Sequence, residues 1–246
     1  MQSLTDLETI RYGRQMLIQD WGQEGQLRLK NAQVFIAGAG GLGSPVAIYL
    51  AVAGIGKIHI CDADTVELSN LNRQILHPSE RVGRSKAASA VETLQELNPE
   101  IKITGSTNYL DAGNIEKILG QPDVVVDCLD NYETRYLLDE TCMAKGIPLV
   151  HGAIEAFLGQ VTFLHPPETP CLRCIFPEAP PKRTFPVVGA TPGVIGCLQA
   201  MEVLKHLTHT GSTLKGRLLI FDGEDMTFAP IEVQRRPGCP HCGHLT

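Results

Sequence analysis

The chain has 246 residues, 43% hydrophobic and 20% charged, with a formal net charge of −6 at pH 7. Those values suit an ordinary α/β globular protein and argue against a general nucleic-acid binder, which carries a basic excess. No apolar run reaches the ~18 residues that a membrane helix needs, and the first eight residues hold two acids and no base, unlike a secretory signal.

Residues 5–30 are predicted helical, capped at Thr5 or Asp6 and interrupted at Gly22 and Gly25, with Trp21 as a packing residue. A strand at 33–37, a glycine-rich turn at 38–43, a helix at 44–53 and a strand at 57–61 form one βαβ unit. Helices at 83–97, 111–119 and 132–145 then alternate with strands at 101–104, 123–127 and 147–151. Such alternation predicts a parallel sheet covered on both faces. Beyond Gly152 the pattern changes. An antiparallel strand at 157–164 precedes a Pro-rich irregular loop at 165–192. A helix follows at 193–207, with an apolar stripe at Val194, Leu198, Met201, Leu204 and Leu207, then strands at 217–221 and 227–233.

Gly38, Gly40 and Gly43 match G-x-G-x-x-G between a strand and a helix, with Gly41 inside the motif. Glycine there allows a tight turn and close backbone approach to phosphates, which the helix N-terminus then attracts. A purely structural turn is the alternative. Asp62 follows the second strand, where an acid meets ribose hydroxyls, and Asp64 follows it. Alone, this pair suits NAD as well as ATP, or a solvated turn. Arg73 ends a polar irregular segment, Lys86 lies in the stretch Val82 to Lys86 near the start of the helix at 83–97, and Asp130 and Asn131 close the strand at 123–127. In a doubly wound sheet, residues after strand C-terminal ends converge on one crevice. Arginine and lysine neutralise phosphate oxygens there, and an aspartate can hold Mg²⁺. Hydride transfer needs no such set. Residues 83–86 lack the glycine spacing of a P-loop.

The eight cysteines are expected in a reducing, cytoplasmic setting, as metal ligands, catalytic groups or buried thiols. Cys171 with Cys174 and Cys239 with Cys242 form two C-x-x-C pairs with 64 residues between them. Four thiolates suit tetrahedral zinc that staples the tail to the long loop. Free thiols or a redox pair are the alternatives, and His241 and His244 are substitute ligands. Cys61, Cys128, Cys142 and Cys197 read as core residues. His151 and His165 lie near the crevice or are structural. Lys182 and Arg183, in a loop over 177–186, either cover the site or stay solvated.

The glycine loop, Asp62 to Asp64, Ser69 to Gln74, Gly83 with Lys86, and Asp127 to Asn131 together resemble the MoeB/ThiF/HesA group of the ubiquitin-activating-enzyme superfamily. Arg11 to Gln15 is similar to that family's opening helix. The resemblance implies a Rossmann-like, doubly wound, mostly parallel sheet with N-terminal helices and a C-terminal antiparallel, zinc-stapled extension. It implies one ThiF-type domain over 1–246, with helices at 1–30, a nucleotide-binding core at 31–152 and a carrier-binding, zinc-containing part at 153–246. It also implies roles. Gly41 approaches the phosphates and Asp62 the ribose, Asn70, Arg73 and Lys86 hold phosphates, and Asp130 organises Mg²⁺. Gln74 and Asn131 lie in the same motifs. Arg14 reaches the nucleotide of the opposite subunit in a homodimer.

The implied reaction is adenylation, by ATP, of the C-terminal glycine carboxylate of a small ubiquitin-like sulfur-carrier protein ending in Gly-Gly. Some relatives carry a reactive cysteine after the first C-x-x-C pair, but residues 175–196 contain no cysteine. The chain is therefore expected to stop at the acyl-adenylate. Competing readings are another acyl substrate, an NAD-dependent oxidoreductase, and a non-catalytic module that docks ubiquitin-like folds.

Overall fold

The structure is a computed structural model and describes residues 3–181 and 185–245. Two helices open the chain, α1 (Asp6–Met16) and α2 (Gly22–Asn31). Thr5 and Glu8 form a reciprocal capping box at the start of α1. Of the two interruptions expected over 5–30, the one at Gly22 is where the helices part, with Asp20 and Gly22 at positive φ, whereas Gly25 lies inside α2. Trp21 is buried in the break, with its ring against Gly25.

The alternating core follows as β1 (Gln33–Ala37), α3 (Gly43–Ala53), β2 (Lys57–Cys61), α4 (Lys86–Leu97), β3 (Lys102–Ser106), α5 (Ile115–Leu119), β4 (Val124–Asp127), α6 (Tyr132–Lys145) and β5 (Leu149–Glu155). Short 3-10 turns at Leu68–Asn70 and Ser79–Arg81 lie between β2 and α4. The chain continues through β6 (Leu158–Leu164), α7 (Leu172–Ile175), α8 (Ala190–Thr208), β7 (Arg217–Asp222) and β8 (Thr227–Glu232).

One eight-stranded sheet runs in the order β3-β2-β1-β4-β5-β6-β7-β8. The first five strands in that order pair in parallel, and β6, β7 and β8 add on antiparallel. The order reverses between β1 and β4, which opens a crevice at their C-terminal ends. Alternate strand residues feed two cores. Val34, Ile36, Ile58, Ile60, Val124 and Val126 pack with α3, α4 and α8, while Phe35, Ala37 and Val125 pack with α5, α6 and α7. The doubly wound, mostly parallel expectation is met, and its antiparallel extension is present.

Several boundaries differ from expectation for local reasons. The helix expected from 83 starts at Lys86, because Gly83 has φ +86° and Ser85 caps the helix through the Ala88 N–H. The helix over 111–119 is only Ile115–Leu119, since the Asp111 side chain binds the Gly113 N–H in a turn. The loop over 165–192 contains α7. The helix expected from 193 starts at Ala190, and its apolar stripe is displaced. Met201 is exposed, and Val194, Leu198, Leu204 and Leu207 are only partly buried, whereas Ile195, Gln199, Glu202 and Val203 face inward. Gln199 donates through Nε2 to the Asp127 and Val150 carbonyls, while its Oε1 has no partner among the described residues, and Glu202 accepts from the Leu214 N–H and pairs with Lys205, so hydrogen bonds and an ion pair hold both polar groups inside. Cys197 is half-buried rather than core, while Cys61, Cys128 and Cys142 are buried.

Candidate nucleotide site and cysteine cluster

The glycine loop crosses from β1 to α3 at the switch point. Gly38 takes φ +101°, and a Cβ there would lie 2.6 Å from the Cys128 carbonyl oxygen. A Cβ on Gly43 would lie 2.0 Å from the Gly38 carbonyl oxygen. These two glycines let the turn close against β4 and α3. Gly40 and Gly41, with Gly38, also sit in the wall of a cavity of about 1030 Å³.

Asp62, at the end of β2, accepts the Ala39 N–H at 2.8 Å and the Asp64 N–H at 2.9 Å. Lys86 is buried and lies 3.0 Å from the exposed Asp64 carboxylate. Arg73 is half-buried and donates to the Ser69 carbonyl and the Asn72 side chain. Gln74 is buried, and among the described residues its Oε1 has no partner. Asp130 is exposed at the end of the turn after β4. Asn131 caps α6 by accepting the Thr134 N–H at 2.9 Å.

The cavity wall brings together Gly38, Gly40, Gly41, Asp62, Asp64, Arg73, Gln74, Lys86, Asp130 and Asn131. It leaves out Gly43, which packs under the loop, and Asn70, which is buried in the 3-10 turn before Arg73. Arg14 is exposed on α1, away from the cavity. The cavity continues past the nucleotide residues to Ile154, Leu158, Pro181 and Phe185. Lys182 and Arg183 lie outside the described residues.

Sequence reasoning missed a buried cluster behind the Asp130 turn. Asp127 is fully buried, accepts from His151 Nδ1 at 2.7 Å and from the Leu129 N–H at 3.0 Å, and lies 3.5 Å from Arg135 Nε. Arg135 also donates to the Leu129 and Gly152 carbonyls. Burial alone would raise the Asp127 carboxyl, but Arg135, His151 and the Leu129 N–H outweigh it and hold it below the usual range. His151 is thus structural, behind the cavity. His165 is half-buried near Glu168 and Gly146, also outside the cavity. The signal for this cluster was the aspartate in an otherwise apolar strand, Asp127, followed eight residues later by Arg135 on α6.

Cys171, Cys174, Cys239 and Cys242 are buried together, their sulfurs within 4.8 Å of one another. The closest pairs are 3.5 and 3.8 Å apart. Sulfurs at ~2.3 Å from a tetrahedral ion stand about 3.8 Å apart, so the donor set fits a metal centre. The Arg236 N–H points at the Cys174 sulfur, 3.3 Å away. The cluster joins α6 through Leu172, whose N–H binds the buried Asp139 carboxylate.

Residues 12–241 match the ThiF family. The chain belongs to that family. It is 45% identical over 98% of its length to SAMP-activating enzyme E1 of Haloferax volcanii, covering 91% of that protein. It is 44% identical over 97% of its length to the sulfur carrier protein adenylyltransferase of Thermus thermophilus, covering 92% of it. It spans about half of the longer adenylyltransferase and sulfurtransferase MOCS3 proteins, 54% of the one from Drosophila sechellia. Among solved structures, Escherichia coli MccB with MccA-N7isoASN aligns with a TM-score of 0.86 at 23% identity, over 95% of this chain and 75% of that one. That likeness speaks for the ThiF-type fold. No helix among the described residues is long and apolar enough to cross a membrane.

Proposed function

We propose that this ThiF-family protein uses ATP to adenylate the C-terminal glycine carboxylate of a ubiquitin-like sulfur-carrier protein. The observation that carries the reading is the joint presence of Arg73, Lys86 and Asp130 with Gly40 and Gly41 around one cavity. Relatives with 44–45% identity over nearly the whole chain bear activating-enzyme and adenylyltransferase names, which supports it. An NAD-dependent reading explains neither the two cations nor the relatives.

In the proposed reaction the carrier's carboxylate oxygen attacks the α-phosphorus of ATP. The bond from that phosphorus to the bridging oxygen breaks, and pyrophosphate leaves with the electron pair. A C-terminal carboxyl is ionised at pH 7, so no general base is needed. The protein's work is to position the reactants and neutralise charge. Gly40 and Gly41 meet the phosphates, Asp62 the ribose, and Asn70, Arg73, Gln74 and Lys86 the phosphate region. Lys86 leaves Asp64 for the nucleotide. Asp130, with Asn131 beside it, would hold Mg²⁺, which when bound offsets charge on the departing pyrophosphate.

The carrier's tail enters the cavity past Ile154 and Leu158. β8 is a sheet edge, and Phe228 and Ile231 are exposed on it, with exposed Leu158 two strands away on β6. Such an edge suits docking of a small β-rich protein. Exposed Leu7 and Ile10 on α1, the helix that carries Arg14, and exposed Leu17 just after it support a homodimer in which Arg14 serves the opposite site. The four cysteines hold zinc as a structural ion, in a cytoplasmic setting that keeps thiols reduced. The chain works as one ThiF-type domain. With no cysteine in 175–196, it stops at the acyl-adenylate and leaves sulfur addition to a separate donor.

Carrier-dependent ATP–pyrophosphate exchange, with a panel of small proteins ending in Gly-Gly, tests the reading. Exchange is expected with one carrier and is lost in Arg73→Ala and Asp130→Ala. Exchange with none of them, by a protein that binds ATP, overturns the carrier assignment. A stable, thiol-sensitive covalent adduct with the carrier overturns the single-step assignment.

A further inference from the structure

His77 has no place in the reaction as stated, yet it sits directly behind the glycine loop. It is 4% exposed. Its Nε2 lies 2.8 Å from the Ala39 carbonyl oxygen, and its Nδ1 lies 3.0 Å from Ser89 Oγ. A carbonyl only accepts, so Nε2 carries the proton and Nδ1 accepts from the serine hydroxyl. Ser89 is itself fixed, because its N–H binds the Ser85 carbonyl and its own carbonyl accepts from Arg81. Burial, aided by Lys86 and Arg81, holds His77 below the usual histidine range and therefore neutral.

The peptide plane gives this contact its meaning. Carbonyl and N–H point in opposite directions across a trans peptide. The Ala39 carbonyl is drawn back to His77, so the Gly40 N–H is turned the other way, toward the cavity that Gly40 lines. The next peptide repeats the arrangement. The Gly40 carbonyl accepts from the Ser44 N–H at 2.9 Å and from Ser44 Oγ at 2.7 Å, so the Gly41 N–H also faces out. Among the described residues neither N–H has a protein acceptor. Two successive outward N–H groups form a concave anion seat.

We propose that His77 is a positioning residue, which aims the Gly40 N–H at the nucleotide phosphates by holding the Ala39 carbonyl. The inference rests on the nucleotide-binding reading of this cavity. It predicts a loss confined to ligands that carry phosphate, since nothing in the contact touches the nucleoside.

The test compares His77→Phe, His77→Asn and His77→Gln. Phenylalanine keeps the bulk and removes both nitrogens. Asparagine reaches only the Nδ1 position, and glutamine carries an N–H to about the Nε2 position. Calorimetry with ATP and with adenosine, thermal melting and pyrophosphate exchange are measured for each. A hydrogen bond to a charged group corresponds to roughly 10- to 100-fold in affinity. His77→Phe and His77→Asn are expected to weaken ATP by about that factor. Adenosine binding and the KM for the carrier stay unchanged, and His77→Gln restores most of the ATP affinity. ATP affinity within about twofold of the parent in His77→Phe overturns the inference alone, because the parent still binds ATP. So does an equal loss for adenosine, or a folded His77→Gln as weak as His77→Phe. A parent protein that binds no ATP overturns the nucleotide reading and the inference with it.

Discussion

Asp127→Asn is the sharpest test of how the Asp130 turn is held. The aspartate is fully buried, with Arg135 Nε at 3.5 Å and His151 Nδ1 at 2.7 Å. Asparagine fits the space and can still accept the Leu129 N–H through Oδ1. It removes the negative charge, however, and sets an amide donor against the donors of His151 and Arg135. Arg135 is 4% exposed, so its guanidinium is left buried without a counter-charge. Breaking such a pair from one side costs about 3–5 kcal/mol. For a chain of 246 residues, that corresponds to a Tm lower by roughly 6–10 °C. Thermal melting at pH 7.5 measures it, and pyrophosphate exchange should fall in parallel at a temperature where the variant is folded. Asp127→Asn combined with Arg135→Gln should lose clearly less than the sum of the single variants, since the stranded charge is gone. A Tm within about 2 °C of the parent, or strict additivity in the double variant, would refute the buried ion pair as the source of stability.

Cys239→Ser removes one of four clustered thiols and should cut the zinc content, measured by plasma mass spectrometry, and lower the Tm; full zinc loading with an unchanged Tm would show that His241 or His244 completes the site. Acid should destabilise the protein through its histidines. Burial depresses His77 and His151, and pushes His206 down to about 4. The unfolded chain therefore binds more protons than the folded one, so stability rises with pH across that interval. Melting curves from pH 8 to 5 should drop most steeply below about 6.5, the unperturbed histidine value, and His206→Gln should flatten part of the slope. A Tm independent of pH between 7 and 5 contradicts the depressed values.

The sheet and most of the crevice were legible because their signals are local. Apolar runs such as Val124–Val126 mark buried parallel strands, and glycine spacing marks the turn at 38–43. Arg73, Lys86 and Asp130 were found because motif order predicts convergence at strand ends. What escaped depends on contacts distant in sequence. The inward face of α8 carries Gln199 and Glu202, polar residues held there by the Asp127, Val150 and Leu214 backbone and by Lys205. The break between α1 and α2 was expected at Gly22, but the positive φ of Asp20 beside it is not something that composition reveals. His77 carried no local signal, because its partner Ala39 lies 38 residues earlier. Gly43 matched a nucleotide motif by spacing, but its lack of a side chain serves the turn beneath the site.

The cysteine cluster also has a temporal side. Its first knuckle lies on α7 and its second follows β8, so α8, β7 and β8 are all synthesised between the two halves. The last thiols cannot meet the first until that intervening chain has come back on itself, and closing so long a loop early is entropically costly. Capture of the proposed metal would therefore come at the end of folding. Among newly made chains, an ion held by all four sulfurs would mark those that have added the antiparallel strands, separating finished molecules from ones in which only the nucleotide half has formed.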